Sequence, residues 1–594
     1  LSRAAMILLP WLLSTVTAAP TGTCCDTKHA CGDPAAVCHN ATSWCGQSEA
    51  NCNGKCKSKW CPSAPPAPTA PPTPSPPLTA VRVNSTSSAA IHTLSDRYIS
   101  FTLDCSKIGR AAKQDGVWQD PQNFTSPEFA ALAKEFTPAY LRFGGTCEDF
   151  LTYDMSPTPP DGSLELGTPS QQTLTRKMYD EVVTWAAEVG WSLVFGLNLL
   201  TNTSSIGGEW NSTNARSLMT YTHKQGYDVV GWELGNEQDL PNKGLPKPLS
   251  PLPPKTYALA YGKLRSLIEE IYGASGAGSK TSPWLIGPDT TKSHAAYASS
   301  VLSAVLETTE THIDVMTWHH YYLAGAGSTT KASAFATVPY LNTFSTFAAS
   351  YEALYHEYVG NLTTRTQEKE NKNENEKAKA KTPQLWMGET GGAGGATATA
   401  AEVTGKFLGC FWWADKLGTA AYTGHTVVAR QEWTELVQQV GKNKEATILI
   451  APSFWTALLW KRLVGPSVLH LAAEDASGPQ PPVAIRTGEV RYYAFSAAAG
   501  SGKSGKVVFV VVNLATTKQT LPLVIDGDTS PAGQRWSLTA GATPGVDVST
   551  PDIYLNNVKM ALSSDGTVPE FAGASLAKGE KITVEPQSVT FLSF

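Results

Sequence analysis

The chain has 594 residues, of which 42% are hydrophobic and 16% are charged, with 17 Trp, 20 Tyr and 18 Phe. At roughly 150 residues per domain, this length predicts about three or four modules, and the composition excludes a chain that is disordered throughout. Lys and Arg number 46 and Asp and Glu 51, a net charge of −5, so we expect no nucleic-acid partner. Eight of the 11 cysteines lie between Cys24 and Cys61, which excludes one uniform architecture.

Residues 1–19 place Arg3 before an apolar run from Ala4 to Leu13, and small residues follow near Ala18. This order is typical of a secretory signal peptide. A membrane anchor is the alternative, but a run of about ten residues is shorter than the roughly 20 that span a bilayer. We expect no transmembrane segment, and a protein that is secreted to the extracellular space or cell wall, or held in a lysosome-like compartment. Six Asn-X-Ser/Thr sequons agree with that route: Asn40, Asn84, Asn123, Asn202, Asn211 and Asn361.

The cysteine-rich segment 24–61 predicts a small disulfide-bonded module, because so short a segment buries too little apolar surface to fold unaided. A zinc site is the alternative, which the secretory prediction disfavours. Trp44-Cys45-Gly46 among these cysteines resembles the hevein-like chitin-binding modules. The resemblance implies binding to chitin or another polysaccharide, with a structural knot or a protein-binding module as alternatives. Residues 62–78 are rich in proline and predict an extended spacer.

Residues 98–460 alternate short apolar runs with amphipathic helical stretches. Strand-like runs include 139–143 and 229–234, and helical stretches include 177–189 and 256–272. Buried strands followed by helices predict an α/β fold with a parallel sheet, and the number of repeats suits a (β/α)8 TIM barrel.

Beyond residue 460 the pattern changes to strand-like runs, such as 507–513 and 581–584, that are separated by Gly, Pro, Asp and Ser. This predicts a C-terminal antiparallel β-sandwich, built from residues 461–594 together with 79–97. The charged run 367–381 predicts a solvated loop or helix extension on the barrel surface.

Two glutamates each follow an apolar strand-like run: Glu237 in Gly-Asn-Glu-Gln and Glu389 in Met-Gly-Glu-Thr. An isolated Glu is usually a surface charge. In a barrel, however, the carboxyl ends of different strands converge on one cleft, so these two glutamates can face each other. Glycoside hydrolysis needs such a pair, one acid to protonate the leaving oxygen and one carboxylate to attack the sugar or guide water. Carboxyl groups about 5 Å apart would give retention of configuration.

Seven motifs, in the same order, resemble glycoside hydrolase family 79, the family of heparanases and β-glucuronidases, over about residues 80–594. The resemblance implies a retaining glycosidase that cleaves β-linked glucuronic acid in a polysaccharide, a proteoglycan glycan or a small glucuronide. A non-catalytic carbohydrate-binding protein and a transglycosylase on the same scaffold are the alternatives. The motifs span residues 137–146, 194–198, 210–214, 232–237, 315–322, 387–390 and 415–418.

By this resemblance Glu237 is the acid/base and Glu389 the nucleophile, so Glu237 should have a raised pKa and Glu389 should stay ionised. The resemblance also implies that Asn236 contacts the 2-hydroxyl of the sugar, that Tyr321 orients Glu389 and that His319 lies nearby. The remaining sugar contacts that it implies are Asp104, Gly145, Thr146 and Gln431.

Recognition of a sugar carboxylate would use the backbone N–H groups of Gly394 and Gly395. Many relatives have a tyrosine before these glycines, where this chain has Ala393. Animal heparanases carry a basic cluster after a Gly-Pro-Asp motif, whereas here that segment supplies only Lys292, which disfavours a heavily sulfated substrate. The stretch 155–178 is short, so we expect activity as one uncleaved chain. We also expect a monomer.

No cofactor is expected. His319 and His320 are candidate metal ligands, but adjacent residues of a strand point to opposite faces, so no metal site is expected. Cys105 and Cys147 follow Asp104 and Thr146, at the ends of adjacent strands, and we predict a disulfide between them. Cys410, in an apolar helical stretch, is expected to be a buried free thiol.

Overall fold

The computed structural model describes two compact units, residues 1–75 and 76–594. In the first unit the strands Val37–Cys38 and Cys45–Gly46 pair antiparallel. The predicted signal peptide, the other cysteines of the module and the proline-rich spacer lie outside the described residues. The described residues are 37–38, 45–46, 80–85, 90–108, 112–114, 117–119, 122–157, 172–200, 209–240, 251–273, 282–309, 311–323, 331–372, 382–393, 403–440, 447–474, 485–498 and 506–594.

Eight parallel strands of the second unit close into a barrel, in the order β1 to β8. The prediction of a (β/α)8 barrel is therefore confirmed. The strands are β1 (Ile99–Asp104), β2 (Ala139–Gly144), β3 (Trp191–Leu197), β4 (Val229–Leu234), β5 (Trp284–Thr291), β6 (Val315–Leu323), β7 (Gln384–Ala393) and β8 (Val427–Arg430).

A long helix follows each barrel strand. Ser126 and Thr175 cap the first two helices, since their hydroxyls accept hydrogen bonds from the first-turn N–H groups of Phe129 and Met178. The third helix ends at Gly226, whose φ of 70° suits glycine. The helices are α1 (Pro127–Lys134), α2 (Arg176–Glu188), α3 (Thr213–Gln225), α4 (Pro254–Tyr272), α5 (Ala295–Thr308), α6 (Val338–Lys372), α7 (Leu408–Tyr422) and α8 (Pro452–Leu463).

The barrel also carries shorter helices and pairs of short strands. Helix α6 carries the start of the charged run as a helical extension, and residues 373–381 lie outside the description. Among the described residues, no helix combines the length and the apolar character that crossing a bilayer requires. The short helices are Cys105–Lys107, Thr146–Phe150, Ala332–Ala336 and Trp433–Leu436, and the paired short strands are Ala112–Gln114 with Val117–Gln119, Leu151–Asp154 with Gln172–Thr175, and Val437–Val440 with Thr447–Ile450.

The C-terminal region forms two main β-sheets, as predicted, except that Leu523–Ile525 pairs parallel, not antiparallel, with Ala80–Val83. The smaller sheet has Ala80–Val83 at its centre, so an N-terminal strand completes the C-terminal layer. The smaller sheet is Leu471–Glu474, Ala80–Val83 and Leu523–Ile525, beside the pair Gln519–Thr520 and Thr583–Val584. The larger sheet runs Val558–Lys559, Tyr554–Leu555, Gly533–Thr539, Ser588–Ser593, Val507–Asn513, Val490–Ala497, Val464–Leu469 and Ala90–Thr93, with Ile485–Thr487 and Ala574–Leu576 at its side.

Helix α7 packs between the barrel and the larger sheet. Tyr493 of the sheet donates a hydrogen bond to Asp415 at 2.6 Å, and its ring occupies the place where a side chain at Gly418 would lie. A glycine is therefore required for the helix to approach so closely.

The barrel interior has an apolar plug at the amino ends of its strands, separate from the core between strands and helices. In it the rings of Tyr140 and Trp386 stack with centroids 4.9 Å apart. Arg142 shares the inward face of β2 with Tyr140, because side chains two positions apart point the same way. A charged layer therefore lies above the plug, towards the carboxyl ends of the strands. The plug comprises Tyr140, Val194, Ile286, Val315, Trp386 and Val427.

Candidate active site

Glu237 and Glu389 face each other at the carboxyl ends of the barrel strands. Glu389 lies within β7, and Glu237 lies just beyond β4 at a φ of 51°, which turns the chain sharply there. One carboxylate oxygen of each residue and one ring nitrogen of His319 lie within 4.8 Å of one another. This spacing agrees with the roughly 5 Å between carboxyl groups that retaining glycosidases use.

His319 connects Glu237 to a second, fully buried acid. Its Nδ1 lies 3.0 Å from Oε1 of Glu237, and its Nε2 lies 2.7 Å from Oδ1 of Asp289. Burial opposes a charge on the imidazole, but the carboxylates of Asp289 and Glu389 raise its pKa well above the usual value. The ring is therefore an imidazolium that donates to both acids.

The pKa of Glu237 is raised mainly because the carboxyl group is buried. The hydrogen bond from His319 acts in the opposite direction, and the negative charge of Glu389 adds to the rise. A carboxyl group that holds its proton to higher pH suits a general acid. The predicted rise in the pKa of Glu237 is thus present in the structure.

Glu389 is fixed by two donors, one on the adjacent strand β6 and one on β2, across the barrel interior. Arg142 of β2 donates from Nη1 to Oε2 at 2.8 Å, and the Tyr321 hydroxyl of β6 donates to Oε1 at 2.5 Å. Burial and the nearby carboxylate of Glu389 raise the pKa of Tyr321 well above its usual value, so the phenol keeps its proton. The structure thus places the hydroxyl of Tyr321 in contact with Glu389.

Arg142 organises the charged layer, and the sequence analysis did not single it out. Its guanidinium reaches Glu233 at 2.7 Å, Asp289 at 2.5 Å and the side-chain oxygen of Asn236 at 3.1 Å. Burial opposes its charge, but the surrounding carboxylates hold its pKa well above the usual value. The available signal was an arginine inside the otherwise apolar run Ala-Tyr-Leu-Arg-Phe, since buried charges are retained only with partners.

The acids around Arg142 differ in protonation. Burial opposes ionisation of Asp289, yet Arg142 and His319 lower its pKa to about 2. Burial raises the pKa of Glu233 to about 7 and that of Asp149, which accepts hydrogen bonds from Asn236 and Gln238, also to about 7. The layer therefore combines one firmly ionised acid, Asp289, with acids that titrate near neutral pH.

The remaining predicted contacts lie around the same mouth. Asn236 is buried and held by Arg142. Asp104 ends β1, and a Cβ at Gly145 would lie 2.5 Å from its carboxylate, which requires a glycine there. Thr146 is exposed at the start of a short helix.

Gln431 follows β8. Its backbone N–H donates to the carbonyl of Thr390 at 2.8 Å, and its side chain accepts a hydrogen bond from the hydroxyl of Thr102. Gly394 and Gly395 lie outside the described residues.

A disulfide joins Cys105 and Cys147, the residues that follow Asp104 and Thr146. It links the segments after β1 and β2, as predicted from their positions. Cys410 is a buried free thiol in α7, also as predicted. Burial raises the pKa of this thiol to about 12, which makes it a poor nucleophile.

The group Glu237, His319 and Glu389 has the dimensions of a small metal site. A metal ligand needs a neutral imidazole with a free lone pair. Both ring nitrogens of His319 donate to acids, and its pKa is raised, so this residue does not fit that role. His320 points away from the pair, towards the amino group of Lys416 at 3.1 Å.

The chain is similar to known carbohydrate-active enzymes. The model of the glycosyl hydrolase family 79 N-terminal domain matches residues 79–418. The chain is 25% identical to a heparanase from Gallus gallus, over 84% of this chain and 92% of that one. It is 29% identical to the baicalin-beta-D-glucuronidase of Scutellaria baicalensis, over 57% and 61% of the two chains.

Among solved structures, a 4-O-alpha-L-rhamnosyl-beta-D-glucuronidase from Fusarium oxysporum 12S superposes with a TM-score of 0.53 at 12% identity. The match covers 87% of this chain and 100% of that one. At this level of identity the likeness concerns the fold.

Proposed function

Because this chain belongs to glycosyl hydrolase family 79 and is a glycosidase, we propose that it hydrolyses β-linked glucuronides with retention of configuration. The observation that carries the proposal is the facing pair Glu237 and Glu389, whose nearest carboxylate oxygens lie within 4.8 Å. The raised pKa of Glu237 supports the acid role for this residue and, with it, the nucleophile role for Glu389.

In the first step a carboxylate oxygen of Glu389 bonds to the anomeric carbon as the glycosidic C–O bond breaks. Glu237 gives its proton to the departing oxygen, so the leaving group departs as an alcohol. In the second step Glu237, now a carboxylate, takes a proton from water while that water attacks the anomeric carbon. The glycosyl ester breaks, and both residues return to their starting forms.

The neighbouring charges support both steps. Arg142 and Tyr321 hold Glu389 with two hydrogen bonds, which fix the direction of attack. When Glu237 loses its proton, the His319 imidazolium 3.0 Å away stabilises the new negative charge. Asn236, which Arg142 holds by a hydrogen bond, would contact the 2-hydroxyl of the reacting sugar.

For the substrate we propose a β-linked glucuronic acid at the reacting position, with its carboxylate bound by backbone N–H groups of Gly394 and Gly395. Asp104, Gly145, Thr146 and Gln431 would contact its hydroxyls. A weakly sulfated or unsulfated glycan, or a small glucuronide, fits best, because the amino group of Lys292 already contacts the backbone oxygens of Tyr321 and Tyr322. That contact leaves this cation poorly placed for a sulfate.

An aryl β-glucuronide tests the activity. We expect hydrolysis by the wild type, and a loss of about 10³-fold or more in kcat for Glu389→Gln, because no nucleophile remains. The first-formed sugar, followed by proton NMR, should be the β anomer. An aryl β-glucoside and an α-glucuronide are the substrate controls. Equal rates for wild type and Glu389→Gln, or an α anomer formed first, would refute the mechanism.

We further propose a secreted monomeric glycoprotein whose segment 24–61 binds chitin or a related polysaccharide. The sequons at Asn84, Asn211 and Asn361 are exposed, which suits glycan attachment. Retention on chitin beads by the full chain, but not by a chain that starts at residue 76, would support the binding role. Equal retention of both chains would exclude it, and light scattering on the full chain tests the monomer.

A further inference from the structure

Lys416 of α7 reaches from outside the barrel to the ends of two catalytic strands. Its amino group lies 2.6 Å from the hydroxyl of Thr390, 3.2 Å from the carbonyl of Gly391 and 3.3 Å from the carbonyl of His320. The side chain is fully buried. Thr390 and Gly391 belong to β7 and His320 to β6, so one side chain ties the two strands together.

No carboxylate within the described ranges forms an ion pair with this amino group. Aromatic rings surround it instead, with centroids at 4.5 Å for Tyr322, 5.0 Å for Trp412 and 5.3 Å for Phe344. Rings attract a cation through their faces, but they compensate burial less well than a carboxylate does. Stability alone therefore gives a weak reason for an amine at this position, where an apolar side chain would pack without that cost.

Lys416 contacts residues that are adjacent in the sequence to residues of the proposed mechanism. His320 precedes Tyr321, and Thr390 follows Glu389. Neighbouring residues of a strand point to opposite faces, so Lys416 acts on the outer face while Tyr321 and Glu389 meet inside.

The strand pairing is irregular at this point. The register of β6 with β7 shifts between Trp318 and His319, and that of β7 with β8 shifts between Met387 and Thr390. Such irregularities re-aim side chains but interrupt the backbone ladder. On the β6 side the ladder resumes beyond its shift, where His319 pairs with Glu389 and His320 with Thr390, whereas on the β8 side Glu389 lies within the shift. The contacts of Lys416 add side-chain bonds to β6 and β7 beside this irregularity.

We propose that Lys416 is a positioning residue that holds the ends of β6 and β7 in the register at which the Tyr321 hydroxyl meets Glu389. This inference rests on the proposed function. Without the amino group, the two strand ends can separate, and the 2.5 Å contact between Tyr321 and Glu389 lengthens.

The test compares Lys416→Met with a matched control, Arg491→Met. Arg491 is also fully buried, and its described partners are Asp415, at 3.0 Å, Val338 and Asn342. Both variants lose a buried basic side chain beside α7, but only Lys416→Met loses contacts to the catalytic strands. For Lys416→Met on an aryl β-glucuronide we expect kcat to fall about 10- to 100-fold, with KM changed less than about twofold, because attack geometry is lost rather than binding. Arg491→Met should keep kcat and lose only thermal stability.

If Lys416→Met does not fold, Thr390→Val removes an acceptor of Lys416 at nearly constant volume, together with the hydrogen bond from the Thr390 hydroxyl to the carbonyl of His320, and should lower kcat in the same direction. Unchanged kcat in a folded variant, with a loss of stability equal to that of Arg491→Met, overturns the inference. A wild type that cleaves no glucuronide overturns the proposed function instead. In that case a crystal structure of Lys416→Met decides about Lys416: we expect the Tyr321 hydroxyl to leave hydrogen-bond distance of Glu389, and an intact bond would contradict the inference.

Discussion

The imidazole of His319 donates to Glu237 across 3.0 Å, and this bond lowers the pKa that burial of Glu237 raises. The alkaline limb of the pH profile reports deprotonation of the acid. In His319→Gln the positive charge is absent, so we expect this limb of kcat/KM to move to higher pH. Hydrolysis of the glycosyl ester should slow, because Glu237 is less readily ionised.

The measurement is the rate on an aryl β-glucuronide between about pH 3 and 9, a range that brackets ordinary carboxyl and imidazole pKa values. His223→Ala, on the exposed side of α3, is the control. An alkaline limb that stays in place or moves to lower pH in His319→Gln would show that His319 does not set the pKa of the acid.

Arg142→Met leaves Glu233, Asp289 and Glu389 without their shared cation. Removing one member of a buried ionic cluster typically costs about 3–5 kcal/mol of unfolding free energy. We expect a loss of this size in urea unfolding at pH 7, together with loss of activity. Because protonation relieves the unpaired acids, the deficit should shrink at pH 5. An equal deficit at both pH values would refute this electrostatic explanation.

Stability should fall as the pH rises through neutrality. Burial raises the folded-state pKa of Glu432 to about 7, as it does for Glu233 and Asp149. The folded state thus binds protons that the unfolded chain releases at about pH 4. The contribution of these protons to the free energy of unfolding is complete below about pH 4 and is lost as the pH rises towards and through about 7.

We therefore expect a higher Tm at pH 5 than at pH 8, measured by scanning calorimetry. Glu432→Gln, which stays neutral, should have a smaller difference between the two pH values than the wild type. A Tm that rises from pH 5 to pH 8 would contradict the prediction.

The disulfide Cys105–Cys147 closes a loop with a sequence separation of 42. Cross-links of this size stabilise by about 2–4 kcal/mol, largely by restricting the unfolded chain. Cys105→Ala/Cys147→Ala should lose this much, and KM for the glucuronide should rise, because Asp104 and Thr146 are adjacent to the linked residues. Mass spectrometry that finds both thiols free in the wild type would remove the basis for this expectation.

The sequence predicted the parts of the molecule that local patterns control. The alternation of strand-like runs, such as β2 and β4, with helices predicted the barrel, and the contexts of Glu237 and Glu389 placed them at strand ends. Local patterns did not indicate the roles of Arg142, Glu233 and Asp289. Their partners lie on different strands, and no local pattern shows which buried charges will meet. Lys416 went unnoticed for the same reason, since its role depends on the packing of α7 against β6 and β7.

The apolar plug beneath the charged layer has a kinetic consequence. Among the described residues, Tyr140 and Trp386 stack across the far end of the barrel, so in the proposed mechanism we expect acceptors to reach the glycosyl ester from the mouth through which the first product leaves. Water and any sugar hydroxyl would then compete for the same place. We expect the partition between hydrolysis and glycosyl transfer to depend on how long the departing alcohol stays there.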